Sequence, residues 1–127
     1  MRPWRWIGLD VVFAIHDRQL AEHGGLDGLR DRGAVESALA RPQDLAAHGL
    51  PDAAGLAAAY AFGLARNHGF SDGNKRTAWT VARLFLADNG YRLQFDAGDA
   101  IRTVDSLAAG RLDEGTLAEW FRRHFVQ

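Results

Sequence analysis

Between His68 and Arg76 the chain reads HGFSDGNKR, which places an imidazole, a carboxylate, an amide, an ammonium and a guanidinium within nine residues. Two glycines, Gly69 and Gly73, bound a five-residue turn that separates a helix closed by His68 from one opened by Asn74. The start of a helix presents unpaired backbone N–H groups and the positive end of its dipole, a natural seat for phosphate. Gly73 lets the backbone approach a ligand. Lys75 and Arg76 add fixed positive charge at the same end, the arginine with two parallel bonds and the lysine as a point charge. Asn74 can hold the turn or touch the phosphate chain. A carboxylate beside phosphates, Asp72, fits Mg²⁺, which takes one or two protein acids plus phosphate oxygens. His68 on the opposite rim fits a general base for a hydroxyl, provided it is neutral. A helix C-terminus favours its charged form, and the cations at 75 and 76 oppose that. Phe70 is expected in the core, fixing the turn. Together these groups describe transfer from a nucleotide to a hydroxyl, a reaction governed by positioning and charge stabilisation. The plainer alternatives are that His68 merely suits a helix end, Asp72 caps a helix and the glycines only turn the chain.

Elements that hold this turn follow from periodicity and caps. WRWIG, residues 4–8, alternates like a short strand. Leu9 to about His23 reads as a helix ended by Gly24-Gly25. Residues 24–33 hold four glycines and read either as a connector or as a mobile segment closing over a ligand. Asp31 caps a short helix from about Gly33 to Arg41, which Pro42 ends, and 43–51 form a loop. Asp52 caps an alanine-rich helix of about fifteen residues, the expected centre of the fold. The following helix, about Asn74 to Asp88, buries Ala78, Val81, Ala82 and Phe85, and Asn89-Gly90 closes it. Tyr91 to Phe95 is extended, and Asp96 and Asp113 cap two last helices. The expectation is a single all-α domain over residues 1–127, with about six helices and little or no sheet.

Composition narrows the function. Of 127 residues 47% are hydrophobic, enough for a sizeable core, and no apolar run approaches the length of a membrane span. No signal peptide is evident, and cysteine is absent, which excludes disulfides and thiolate metal sites. A cytoplasmic protein is expected. The formal net charge of −1 speaks against nucleic acid as a direct partner. Fourteen of the fifteen basic residues are arginine, so Lys75, the only lysine, stands out. Neither phosphate-loop glycine pattern occurs, nor an H-x-x-x-H pair or a G-x-S-x-G elbow. His16 and His23 are expected to be structural or solvent-facing.

HGFSDGNKR resembles the Fic signature, H-P-F-x-[DE]-G-N-G-R-x-x-R, and is closer still to its Doc branch, H-x-F-x-D-x-N-K-R. LAEHGGLDGLRDRGAVESALARPQ is similar to the Doc N-terminal region, and NKRTAWTVARLFLADNGYRL to its central helix. The resemblance spans nearly the whole chain. It implies a compact helical fold with a small flap, the toxin role of a type II toxin–antitoxin pair, and ATP with Mg²⁺ as co-reactants. By position it makes His68 the base, Asp72 the metal ligand, and Arg66, Gly73, Asn74, Lys75 and Arg76 the phosphate-binding set. Gly24, Gly25, Leu26, Asp27, Gly28, Leu29 and Arg30 correspond to the flap that holds the target segment.

Two departures from Fic bear on the chemistry. Lys75 replaces the second glycine of G-N-G, and Trp79 stands in place of the last arginine. Doc toxins, with lysine there, bind ATP reversed and transfer the γ-phosphate, so the resemblance implies a protein kinase, with a threonine of elongation factor Tu as target and translation arrest as outcome. Gly73 is Fic-like, which keeps AMP transfer as the alternative, and a catalytically silent binding module is a further one. The self-inhibitory Fic pattern [ST]-x-x-x-E-[GN] is absent. An external brake is expected: a Phd-like antitoxin whose C-terminal segment enters the groove beside the motif.

Overall fold

Alanine dominates the middle of the fold. In the computed structural model, which describes residues 3–126, eleven residues of the helix Ala53–Arg66 are buried. Six helices occur among the described residues: α1 (Leu9–His23), α2 (Arg32–His48), α3 (Ala53–Arg66), α4 (Asn74–Asp88), α5 (Ala97–Ala108) and α6 (Glu114–Arg123). The small side chains of α3 let α2, α4, α5 and α6 all pack against it, while α1 lies on α4 and α2. Gly63 marks the closest approach. A Cβ there would sit 2.9 Å from Ala38 Cβ and 3.0 Å from Ala38 Cα on α2.

The aspartate caps stand where the sequence places them. Asp31, Asp52, Asp96 and Asp113 accept from the N–H groups of Ala34, Gly55, Asp99 and Thr116, at 2.7–3.1 Å. Gly90 has a φ of +88°, the left-handed exit expected after α4. The architecture is all-α. Its extended pairing among the described residues is limited to two isolated antiparallel bridges, Leu29 with Phe70 and Leu93 with Phe125.

Two expectations fail. Pro42 does not end α2, which runs on to His48. Proline removes one helical hydrogen bond, but Pro42 is itself fully buried, and Leu45 and Ala46 beyond it pack on the core. Apolar burial on both sides of the missing bond keeps the helix continuous. The predicted strand at residues 4–8 is also absent. Its alternation is real, because Trp4 and Trp6 both face Phe85 with ring centroids 5.9 Å away. No neighbouring strand exists, however. Arg5 N–H donates to Asn89 Oδ1, Arg5 C=O accepts from Asn89 Nδ2, and Ile7 N–H donates to the Tyr60 hydroxyl, so side chains satisfy this backbone.

Candidate functional site

The turn between α3 and α4 is built from inside outward. Phe70 is 3% exposed and packs edge-on to Phe13. Gly69 is pressed against α2: a Cβ there would overlap Val35 Cγ2 and lie 3.2 Å from the Asp31 carbonyl. Asn74 folds its amide back over the turn. Phe70 N–H donates to its Oδ1 at 3.1 Å, and its Nδ2 donates to the Phe70 carbonyl at 3.0 Å. Both functions of that amide hold the loop, so of its two possible roles the geometry displays the turn-holding one.

His68 lies two residues beyond the end of α3, exposed, with a φ of +52°. It is the only non-glycine residue with positive φ among those described. Such conformations cost energy and concentrate at functional sites. His68 thus lies past α3 rather than closing it, contrary to the sequence expectation; Arg66 is the last helical residue and Asn67 the cap.

Gly73, at φ +80°, precedes α4, which opens with no capping side chain. The first N–H groups of α4 therefore have no partner within the helix. Asp72 lies alongside. Its Oδ1 accepts from Gly73 N–H at 2.9 Å and its Oδ2 from Leu26 N–H at 3.2 Å. These two backbone donors, first Gly73 and then Leu26, hold the Asp72 carboxyl below the usual carboxylate range, with smaller help from the charge of Arg76. No cluster of three or more histidine or acidic ligands exists among the described residues. One exposed, ionised carboxylate beside an uncapped helix start fits Mg²⁺ bound through one protein acid, phosphate oxygens and water; it does not fit a cage made wholly of protein ligands.

An open groove of about 1000 Å³ runs from this turn between α4 and α5. His68, Asp72, Lys75 and Arg76 line one end, and Trp79, Phe95 and Ile101 the other. Trp79, in the place of the Fic arginine, stacks on Phe121 with centroids 5.7 Å apart and meets Phe95 and Trp120 edge-on. That end of the groove is thus an aromatic wall. A second groove of about 850 Å³ lies between α2 and α3 and holds none of the motif groups.

Segment 24–30 docks on the turn. Arg30 and Asp31 N–H both donate to the Gly69 carbonyl at 2.9 Å, and Ser71 N–H donates to the Gly28 carbonyl at 3.0 Å. Gly25 is the point of closest approach, since a Cβ there would lie 2.8 Å from Asp72 Oδ2. Leu26 and Leu29 are 71% and 45% exposed on the outer side.

Arg66 is not among the groove-lining residues. Its guanidinium lies over the Phe62 ring at 5.4 Å and beside Gly110. Lys75 lines the groove with its Nζ 2.9 Å from Asp105 Oδ1 on α5, an exposed pair. Arg76 makes no ion pair among the described residues. Two features escaped the sequence reading. Asp105 is thirty residues from Lys75 and leaves no local signal. Arg83, whose guanidinium lies 5.3 Å over Phe95 in the groove, is two helical turns from Arg76, a spacing that reveals it. Of the two roles expected for His16, structural or solvent-facing, the structure displays the structural one: it is buried against the turn.

An all-α scaffold presenting such a turn at the mouth of a groove has known counterparts. Residues 6–86 match the model of the Fic/DOC family. "Protein kinase doc" of Escherichia phage P1 is 34% identical over 120 residues, covering 94% of each chain. "Toxin Doc" of Mycolicibacterium smegmatis is 40% identical over 100 residues, 75% of this chain and 76% of that one. This chain belongs to the Fic/DOC family, as a Doc-type toxin of the phosphotransferase class.

Proposed function

We propose that this protein transfers the γ-phosphate of ATP to a serine or threonine hydroxyl of a protein, that the target is a threonine of elongation factor Tu, and that translation stops as a result. The observation that carries the reading is the convergence of the His68 imidazole, the Asp72 carboxylate and the uncapped start of α4 on one groove mouth. His68 takes the proton of the target hydroxyl. The hydroxyl oxygen then bonds to the γ-phosphorus, the bond from that phosphorus to the bridging oxygen breaks, and ADP leaves. Arg76, Lys75 and the first N–H groups of α4 bind the phosphate oxygens, with Lys75 exchanging Asp105 for phosphate. Gly73 allows the backbone approach, and Asn74 keeps the loop in shape. Asp72 is the residue that would hold Mg²⁺, which neutralises charge on the phosphates when bound. Arg66 would join only by leaving Phe62.

Segment 24–30 is assigned to the target peptide: its backbone lies against the motif turn and its exposed leucines face outward. The apolar end of the groove, with Ile101 62% exposed, fits the C-terminal segment of a small Phd-like antitoxin. Co-expression of that antitoxin should restore growth, and failure to do so would count against the assignment.

Elongation factor Tu, Mg²⁺ and ATP labelled in turn at the γ- and α-phosphate test the reaction. Label from the γ position alone supports it. Label from the α position makes the protein an AMP transferase, the alternative that Gly73 keeps open. No label on any protein of a whole-cell lysate refutes both and leaves a binding module.

A further inference from the structure

Beneath the motif turn lies a side chain that the transfer scheme does not use. His16, on the inner face of α1, is 3% exposed. Its ring stacks on Phe70, with centroids 3.7 Å apart and planes within 10°. Its Nε2 is 2.8 Å from the backbone carbonyl oxygen of Asp72. A carbonyl oxygen only accepts, so Nε2 carries the proton and donates it. The same ring is 3.5 Å from the place a Gly73 Cβ would occupy. One imidazole thus grips the turn at positions 70, 72 and 73. The grip is referred to the helices, because Gln19 Nε2, one residue group along α1, donates to Thr80 Oγ1 on α4 at 3.2 Å. Packing alone would not select histidine here. A phenylalanine fills the same space against Phe70 without burying a polar ring.

We propose that His16 is a positioning residue for Asp72. Its bond to the carbonyl fixes the peptide plane between Asp72 and Gly73 and aims the carboxylate toward the groove. Among the described residues it is the only side chain bonded to the main chain of Asp72. The inference rests on the reading of Asp72 as the Mg²⁺ ligand of a phosphoryl-transfer site. Partners that orient a metal ligand carry a measurable share of metal affinity.

The test uses the full chain, with calorimetric binding of the imido analogue of ATP in the presence and absence of Mg²⁺. His16→Phe keeps the stack and removes the donor; His16→Gln keeps a donor at similar reach. His16→Phe should weaken binding with Mg²⁺ by about tenfold, leave binding without Mg²⁺ unchanged, and be largely rescued by His16→Gln. Unchanged affinity, or an equal loss with and without Mg²⁺, overturns the proposal. Should His16→Phe not fold, the ring ¹⁵N signals of the wild type decide: an Nε2-protonated tautomer whose signals move on adding Mg²⁺ and the analogue supports it, and an Nδ1-protonated tautomer overturns it. A wild type that shows the Mg²⁺-dependent effect yet transfers no phosphate sinks the reaction and spares His16. One that transfers phosphate with His16→Phe binding normally sinks His16 alone, and one that binds no Mg²⁺–nucleotide sinks both.

Discussion

Gly69 offers a sharp test of how the motif is held. A Cβ at this position overlaps Val35 Cγ2 and comes within 3.2 Å of the Asp31 carbonyl and 3.3 Å of Val35 N. Val35 cannot swing aside, being β-branched and 1% exposed on α2. Gly69→Ala therefore moves the turn away from α2, at an overpacking cost of about 2 kcal/mol. At about 4 °C per kcal/mol for a chain of this size, the melting temperature should fall by about 8 °C. The carbonyl that receives the Arg30 and Asp31 N–H groups moves with the turn, as does His68 next to it. Transfer should consequently fall by more than the unfolded fraction explains. Val35→Ala alone removes buried methyl groups and costs about 2–3 kcal/mol. In the double variant the new methyl occupies part of the vacated space. The two costs should then sum to less than their separate values by at least about 1 kcal/mol. Urea denaturation of the wild type, both single variants and the double variant measures that coupling. Costs that add to within about 0.5 kcal/mol would refute the contact between Gly69 and Val35 as the device that seats the turn.

His68→Gly should abolish transfer and growth arrest yet raise stability by roughly 1 kcal/mol, because glycine adopts the positive φ of this position without strain; calorimetry and a transfer assay on the same sample check both halves. Asp105→Ala frees Lys75 from its exposed partner, so KM for ATP should fall several-fold with a stability change below about 1 kcal/mol, and steady-state kinetics would detect a rise instead. The carboxyls of Asp52, Asp72 and Asp113 all lie below the ordinary carboxylate range, through Arg122, through the Gly73 and Leu26 N–H groups, and through Thr116, respectively. Their stabilisation is present above the unfolded carboxylate value of about 4 and is lost as pH falls through the lower folded values. Protection of the Leu26 amide, its hydrogen exchange taken relative to the intrinsic rate at each pH, should fall over that acid range and stay flat from about pH 5 to 8, and a loss of protection confined to the alkaline side would contradict the assignment.

Much of the fold was legible because its signals are local. Each aspartate cap lies three residues from the amide it serves, and Gly24-Gly25 and Asn89-Gly90 end helices through local signals, the second with the Asn89 amide donating to the Phe85 carbonyl. What misled was local too. Pro42 is a helix breaker unless buried neighbours on both sides outweigh its missing donor, and that burial depends on α3. WRWIG has the alternation of a strand, whereas a strand needs a partner, and Asn89 and Tyr60 supply side chains in its place. The candidate site divides the same way. The groups from His68 to Arg76 are contiguous and could be read directly. The bonds that orient them span distant positions: His16 to Asp72, Lys75 to Asp105, and segment 24–30 to residues 69–71. Only folding brings those partners together, so His16 could be read as structural or solvent-facing but not matched to Asp72.

The crowding around α3 has a genetic consequence. With neighbours on nearly every face, its alanines and Gly63 leave little room for added atoms. A selection for cells that survive this protein should return escape mutations in two groups. Those at the exposed groups His68, Asp72, Lys75 and Arg76 silence a protein that still accumulates to normal levels. Those that enlarge a side chain of α3 remove it from the cell, since a loss of one or two kcal/mol already lowers abundance several-fold. Immunoblots of surviving colonies would separate the groups, and only the first would trace the chemistry.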